Sequence, residues 1–163
     1  MFSKKLNAKL DEFHLLKHPF YQAWNEGKLN REIIKDYAEQ YYHHVKAFPR
    51  YISATHSLCE DIANRKILLE NLNDEEDKCN DHPKLWKQFA VSLGADENEI
   101  EKVKLEKYTS EMIDNFFKQG RSTYAEGLAS LYTYERQIPE IADVKIEGLK
   151  KFYEVNTESG LAF

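Results

Sequence analysis

The sequence predicts an all-α protein of one domain, on the evidence of its composition, its apolar spacing and its helix boundaries. It has 163 residues, a length suited to a single domain spanning 1–163. Of these, 42% are hydrophobic and 31% charged, with six Gly and four Pro, which is typical of helix-rich globular proteins. No stretch shows the alternation of apolar and polar residues that a half-buried strand requires.

Proline, glycine and capping residues mark where the predicted helices begin and end. Pro19 suits the first turn of a helix that ends at Gly27. Asn30 caps a long helix that reaches Ala47, just before Pro49. Further helices are predicted over 83–93, 110–119, 122–138 and from beyond Pro139 to about residue 152. The sequence therefore predicts roughly seven helical segments.

Charge, hydropathy and motifs exclude several classes of function. The net charge of −5 argues against a nucleic-acid partner or an anionic membrane surface, since both need clustered Lys and Arg. No run of about 18 apolar residues could cross a bilayer, and the first residues lack an apolar signal core, so we expect a cytoplasmic protein. In that reducing compartment, Cys59 and Cys79 are expected to be free thiols. Nucleophile-elbow and P-loop sequences are missing.

Two predicted helices each carry a carboxylate within an apolar row. Glu135 falls on a face with the spacing 4, 3, 4 and 3, formed by Tyr124, Leu128, Leu131, Glu135 and Ile138. Glu75 falls on a second face of the same spacing, formed by Leu68, Leu72, Glu75, Cys79 and His82. Because His82 precedes a proline, the helix could instead end near residue 80, and a turn would then set the direction of the His82 side chain.

Two interpretations of these inward carboxylates follow. An isolated buried carboxylate is unfavourable, so each must be paired, protonated or bound to a metal. In the first interpretation each Glu reaches solvent or meets an arginine, for which the candidates are Arg50, Arg65 and Arg136. In the second, the carboxylates and His82 converge on iron or manganese, as in helical-bundle metal sites.

The segment YAEQYYHHVKAFPRY places phenols and an imidazole among apolar residues. Its shared face holds Ile33, Tyr37, Tyr41, His44 and Phe48. Tyrosines with satisfied hydroxyls commonly fill helical bundles, and His43 and His44 are read first as core-edge residues. The alternatives are a polar-lined pocket for a small aromatic substrate, or redox-active tyrosines beside a metal.

Five blocks of the sequence resemble one known family, in order and over essentially the whole chain. They are HPFYQAWNEGKL, YAEQYYHHVKAFPRYISATHS, LLENLNDEE, HPKLWKQFAVSLG and LYTYERQIPEIADVKIEGL. These blocks resemble the CADD-like proteins, named for Chlamydia protein associating with death domains. That family belongs to the haem-oxygenase-like helical group, which includes PqqC and the TenA thiaminases. The resemblance implies a helical bundle with a di-iron site, in an oxygen-activating oxidoreductase linked to p-aminobenzoate for folate biosynthesis.

The resemblance also implies roles for individual residues. The metal ligands of the family match Glu75, His82 and Glu135, which the helical spacing had singled out. The tyrosine proposed in the family as the source of the aromatic ring matches Tyr21, and its associated catalytic residues match Tyr37 and Lys145. Tyr134 adjoins a ligand and is a further candidate for coupling to the metal.

The sequence departs from the family pattern after ESGLAF. The family continues into a helix whose pattern His-x-x-x-Asp-x-x-His supplies the other metal ligands, so the resemblance predicts a bundle lacking its last one or two helices. We expect an incomplete iron site, impaired oxidation, and self-association through apolar faces left uncovered. The alternative is a non-catalytic remnant that binds a death-domain protein. A third possibility, cofactor-free oxidation as in PqqC, is matched by fewer residues.

Overall fold

The computed structural model describes residues 2–163, and within that range all regular structure is helical. The predicted all-α class is confirmed. The α-helices in chain order are α1 (Phe2–Glu12), α2 (Pro19–Asn25), α3 (Arg31–Ser57), α4 (Ile62–Glu75), α5 (His82–Ser92), α6 (Lys107–Gly120), α7 (Tyr124–Glu135), α8 (Ile138–Phe152) and α9 (Glu158–Leu161). Short 3-10 turns lie at Leu15–Lys17 and Ile100–Lys102. None of the described helices is both long and apolar enough to span a membrane.

Helix α3 is the central element, because it packs against α4, α5, α6 and α7. It contributes to both buried clusters of the core, one around Trp24 and Trp86 and the other around Phe48 and Leu131. This position brings the ends of α4, α5 and α7 together on one side of α3.

The predicted end of α3 at Ala47 is wrong. The helix continues through Pro49 to Ser57. A proline inside a helix removes one backbone hydrogen bond and costs about 3 kcal/mol. Here the residues that follow Pro49, including Tyr51 and Ile52, are buried at 1% and 0% exposure, and their burial offsets that cost.

Two other predicted boundaries are corrected by local capping. The apolar row through Glu75 does not continue as one helix, because α4 ends there and Asp77 accepts hydrogen bonds from the backbone N–H groups of Cys79 and Asn80, both at 2.9 Å. Cys79 is therefore exposed instead of inward-facing, and both thiols are free as predicted. The helix predicted over 122–138 instead ends at Glu135. Pro139 lies in the first turn of α8, where a missing N–H costs nothing.

The crossing of α3 and α7 depends on Gly127. A Cβ added at Gly127 would lie 2.5 Å from Oγ1 of the fully buried Thr55. We expect Gly127→Ala to lower the free energy of unfolding by about 1–3 kcal/mol through overpacking. Gly120→Ala is the matched control, since its nearest contact would be an ordinary 3.4 Å. Urea unfolding measures both, and equal stabilities for the two variants would contradict this packing.

Candidate functional site

Three helix ends meet at a polar cavity of about 330 Å³. Glu75 is the last residue of α4, Glu135 is the last residue of α7, and His82 is the first residue of α5. All three side chains line the cavity, together with Tyr134 and Phe163. The structure therefore brings together the three residues predicted as metal ligands.

Glu75 and His82 form the closest contact in this cavity. His82 Nδ1 lies 2.8 Å from Glu75 Oε2, and Glu75 is only 8% exposed. The hydrogen bond to Glu75 raises the pKa of His82 above its ordinary value, against the opposing effect of burial. His82 reaches Glu75 through the turn between α4 and α5, which corrects the prediction of one continuous helical face.

Glu135 is held by Asn71, a residue that the sequence prediction missed. The Asn71 amide Nδ2 lies 3.0 Å and 3.1 Å from the two carboxylate oxygens of Glu135 and donates to them. Burial raises the pKa of Glu135, the amide of Asn71 opposes that rise, and the nearby charge of Glu75 adds to it. Asn71 lies one helical turn before Glu75 and therefore on the same helix face. That position is the sequence feature that could have identified it as a site residue.

Neither carboxylate meets an arginine. Arg65 donates to the backbone carbonyls of His56 and Cys59, and Arg136 pairs with Asp11 at 2.8 Å. Arg50 lies over the ring of Phe117, with its guanidinium carbon 4.7 Å from the ring centroid. The interpretation in which arginines neutralise Glu75 and Glu135 is therefore wrong.

The position of the two carboxylates at helix C-termini favours a cation in the cavity. The C-terminal end of a helix carries a partial negative charge, so Glu75 and Glu135 add to a potential that is already negative. Carboxylate and imidazole donors suit iron among other divalent metals.

The number and arrangement of donors do not fit a two-iron centre. Among residues 2–163, no three His, Cys, Asp or Glu side chains are grouped closely enough to hold a metal ion as they stand. His82 Nδ1 is engaged by Glu75, and both oxygens of Glu135 are engaged by Asn71. As they stand, the described residues do not form a metal site.

The amide of Asn71 is expected to stabilise the ionised form of Glu135. Replacing Asn71 by Leu leaves a buried carboxylate without its donor, and we expect a loss of about 1–3 kcal/mol of unfolding free energy at pH 7. Because the bond lowers the pKa of Glu135, the loss should shrink as the pH falls and Glu135 becomes protonated. Urea unfolding at pH 7 and pH 4 measures it, with the exposed Asn73→Leu as control; an equal loss at both pH values would contradict this role.

A second cluster places Lys145 beside two tyrosines. Lys145 Nζ donates to the hydroxyl of Tyr37 at 3.2 Å, and the hydroxyls of Tyr37 and Tyr21 are 3.5 Å apart. Tyr21 lies on α2, Tyr37 on α3 and Lys145 on α8, so three helices assemble the cluster. Three of the residues predicted as catalytic are therefore in contact.

The surroundings of Lys145 favour its neutral amine. Its Nζ lies 4.5 Å from the ring centroid of Trp86 and 5.9 Å from that of Phe89. Burial among these rings lowers the pKa of Lys145 to about 7. Burial likewise raises the pKa of Tyr21 and of Tyr37, so both phenols remain protonated near neutral pH. Of these three groups, Lys145 is the one suited to accept a proton near neutral pH.

Tyr134 connects the two clusters. Its hydroxyl is hydrogen-bonded to that of Tyr41, and Tyr134 lines both the polar cavity and a small apolar cavity of about 70 Å³. Tyr21 and Lys145 also line this small cavity. Burial raises the pKa of Tyr134 well above its ordinary value. The sequence placed Tyr41 on the same helix face as Tyr37, but it did not identify Tyr41 as the hydrogen-bond partner of Tyr134.

The helix order and the buried site define a class, the haem-oxygenase-like helical proteins. A crystal structure from Shewanella denitrificans, of a domain of unknown function with a heme oxygenase-like fold, is similar with a TM-score of 0.60. The similarity covers 99% of this chain and 83% of that chain at 15% sequence identity, and so concerns the fold alone. Residues 4–158 match the TENA/THI-4/PQQC family, and the chain belongs to that family.

Curated relatives share one name. The 4-aminobenzoate synthase of Chlamydia pneumoniae is 43% identical over 152 residues, which cover 93% of this chain and 68% of that protein. The 4-aminobenzoate synthase of Chlamydia muridarum is 40% identical over 163 residues, covering 99% and 69%. The protein of that name from Nitrosomonas europaea is 42% identical, covering 93% and 66%. The chain thus spans about two thirds of the length of these relatives.

Proposed function

We propose that this chain acts as an oxygen-dependent oxidoreductase of the 4-aminobenzoate synthase type, with Tyr21 as the source of the aromatic ring. One observation carries the proposal. The cavity beside Tyr21 and Lys145 holds about 70 Å³, whereas a cavity of about 150 Å³ is known to admit benzene. A separate aromatic substrate does not fit there, and the ring of Tyr21 already occupies the position next to Lys145 and Tyr37.

The residues of the second cluster have distinct roles in this proposal. Lys145 donates to the Tyr37 hydroxyl across their 3.2 Å hydrogen bond. Because its amine is neutral over much of the physiological pH range, it can also take up a proton released in the reaction. Tyr37 in turn orients the hydroxyl of Tyr21. The rings of Phe20, Tyr37 and Trp86 exclude water from the reacting side chains.

Iron is the metal that we propose for the polar cavity. Glu75, His82 and Glu135 would hold it, and bound iron would supply oxidation by dioxygen. Because the described donors number three, we expect weak binding of a single ion and a correspondingly low activity. A cytoplasmic location accords with the function, while self-association and a death-domain partner stay predictions from the sequence.

Product formation tests the proposal. The purified chain is incubated in air with ferrous iron and a reductant, and 4-aminobenzoate is measured by mass spectrometry. We expect product from the wild type and from the exposed-site control Glu76→Gln, and none above background from Glu75→Gln. Equal product from Glu75→Gln and Glu76→Gln would overturn the assignment of Glu75, and no product from iron-loaded wild type would overturn the function.

A further inference from the structure

His44 is a fully buried imidazole, and neither of its ring nitrogens has a hydrogen-bond partner among residues 2–163. It lies on α3 inside a cage of aromatic rings contributed by α3, α6 and α7. The centroid separations are 5.2 Å to Tyr41, 5.8 Å to Phe48, 5.7 Å to Tyr51, 5.1 Å to Phe116 and 5.0 Å to Tyr134. A phenylalanine would fill such a cage without leaving polar atoms unpaired, so the imidazole calls for an explanation.

Two neighbours of His44 have unused hydrogen-bonding capacity. The hydroxyl of Tyr51 is also buried and without a partner. Tyr41 and Tyr134 share one hydrogen between their two oxygens, which leaves the other hydroxyl hydrogen free to donate. A neutral imidazole offers one N–H donor and one acceptor nitrogen, which is the complement of these two sites.

We propose that His44 completes a buried hydrogen-bond chain, accepting from the Tyr41–Tyr134 pair through one nitrogen and donating to Tyr51 through the other. The ring centroids of Tyr41, Tyr51 and Tyr134 lie 5.0–5.7 Å from that of His44, and the chain requires side-chain rotation that brings their hydroxyls to its nitrogens. Burial lowers the pKa of His44 to about 4, so the neutral form that the chain needs is present at physiological pH. His44 is thus a positioning residue, which fixes the orientation of Tyr134 between the two cavities.

Imidazole nitrogen shifts test this chain directly and do not depend on enzymatic activity. The whole protein is labelled with ¹⁵N-histidine, and His44 is assigned from the signal missing in His44→Gln. We expect one N–H tautomer whose acceptor nitrogen is displaced upfield from the free-imidazole position. Either Tyr41→Phe or Tyr134→Phe, whichever removes the donor, should return that nitrogen toward the free position. Tyr51→Phe should make the ring N–H exchange faster with water.

Tyr37→Phe is the matched control, because its hydroxyl bonds to Tyr21 and Lys145 and does not belong to the chain. It should leave both His44 signals in place. Free-imidazole shifts that do not respond to Tyr41→Phe, Tyr134→Phe or Tyr51→Phe would overturn the proposal.

The direction in which Tm changes when His44 is replaced gives a second, independent test. A paired His44 predicts that His44→Phe lowers Tm and that His44→Gln, which keeps a donor and an acceptor, restores part of the loss. If the imidazole is unpaired, His44→Phe should instead raise Tm, because it removes two buried nitrogens that lost their hydrogen bonds to water on folding. A rise in Tm for His44→Phe would therefore overturn the hydrogen-bond chain.

Discussion

Replacing Tyr21 by Phe is expected to abolish formation of 4-aminobenzoate. Phenylalanine keeps the ring and its packing against Phe20, where the ring centroids are 5.3 Å apart, but it lacks the hydroxyl that faces Tyr37 at 3.5 Å. If the Tyr21 phenol is the reacting group, no alternative group replaces it, and product falls to background.

We expect Tyr21→Phe to fold normally, so that its loss of product reflects the missing hydroxyl and not unfolding. Removing one hydroxyl with a 3.5 Å partner costs at most about 1 kcal/mol of unfolding free energy. Tyr42→Phe is the matched control, since Tyr42 is also buried but lies near Lys46 and Lys87, outside the cluster of Tyr21, Tyr37 and Lys145. Mass spectrometry measures product for both variants, and product from Tyr21→Phe at the level of Tyr42→Phe would rule out Tyr21 as the ring source.

Replacing Lys145 by Met is expected to affect both activity and the pH dependence of stability. Removing a positioned base typically costs 10²-fold or more in rate, so product should fall on the order of 100-fold. Met keeps the apolar stem that packs against Trp86 while removing the amine. The exposed Lys150→Met on the same helix is the control, and its product should equal that of the wild type.

The stability effect has a definite sign. The pKa of Lys145 is about 7 in the folded protein, below the ordinary value of about 10.4, so the unfolded chain binds more protons between these values. Stability therefore rises with pH over that window. Since the side chain is partly exposed, we expect only about 2 kcal/mol of rise. Urea unfolding at pH 7 and pH 9, below the range in which tyrosines of the unfolded chain ionise, should show a larger rise in wild type and in Lys150→Met than in Lys145→Met. An identical slope in all three would contradict a neutral Lys145.

The parts of the site that follow from helical period were predictable from sequence. Glu75 and Glu135 each occupy an inward position on a helix, and a spacing of 3 and 4 locates such positions without knowledge of the partner helix. The same spacing and the resemblance to the family both identified His82, although the intervening turn in fact breaks the helical period. Capping by Asp77 determines that turn, and only the structure shows it.

The partners across helices were not predictable. Asn71 holds Glu135, and Tyr41 bonds to Tyr134, because of how α3, α4 and α7 are rotated against one another. A single sequence gives each helix a buried face but does not give the register between two faces. Helix ends can be mispredicted for the same reason. Pro49 locally favours the end of a helix, but packing on both sides of α3 outweighs that preference and the helix continues.

Isotope labelling of the product ring shows whether Tyr21 is consumed. The protein is produced with tyrosine carrying ¹³C at all ring carbons, then incubated in air with ferrous iron and a reductant in unlabelled buffer. If Tyr21 is the ring source, 4-aminobenzoate should carry ¹³C at all ring carbons, and intact Tyr21 should be lost from the peptide map of the same protein. Unlabelled 4-aminobenzoate, or labelled product with Tyr21 intact, would contradict it.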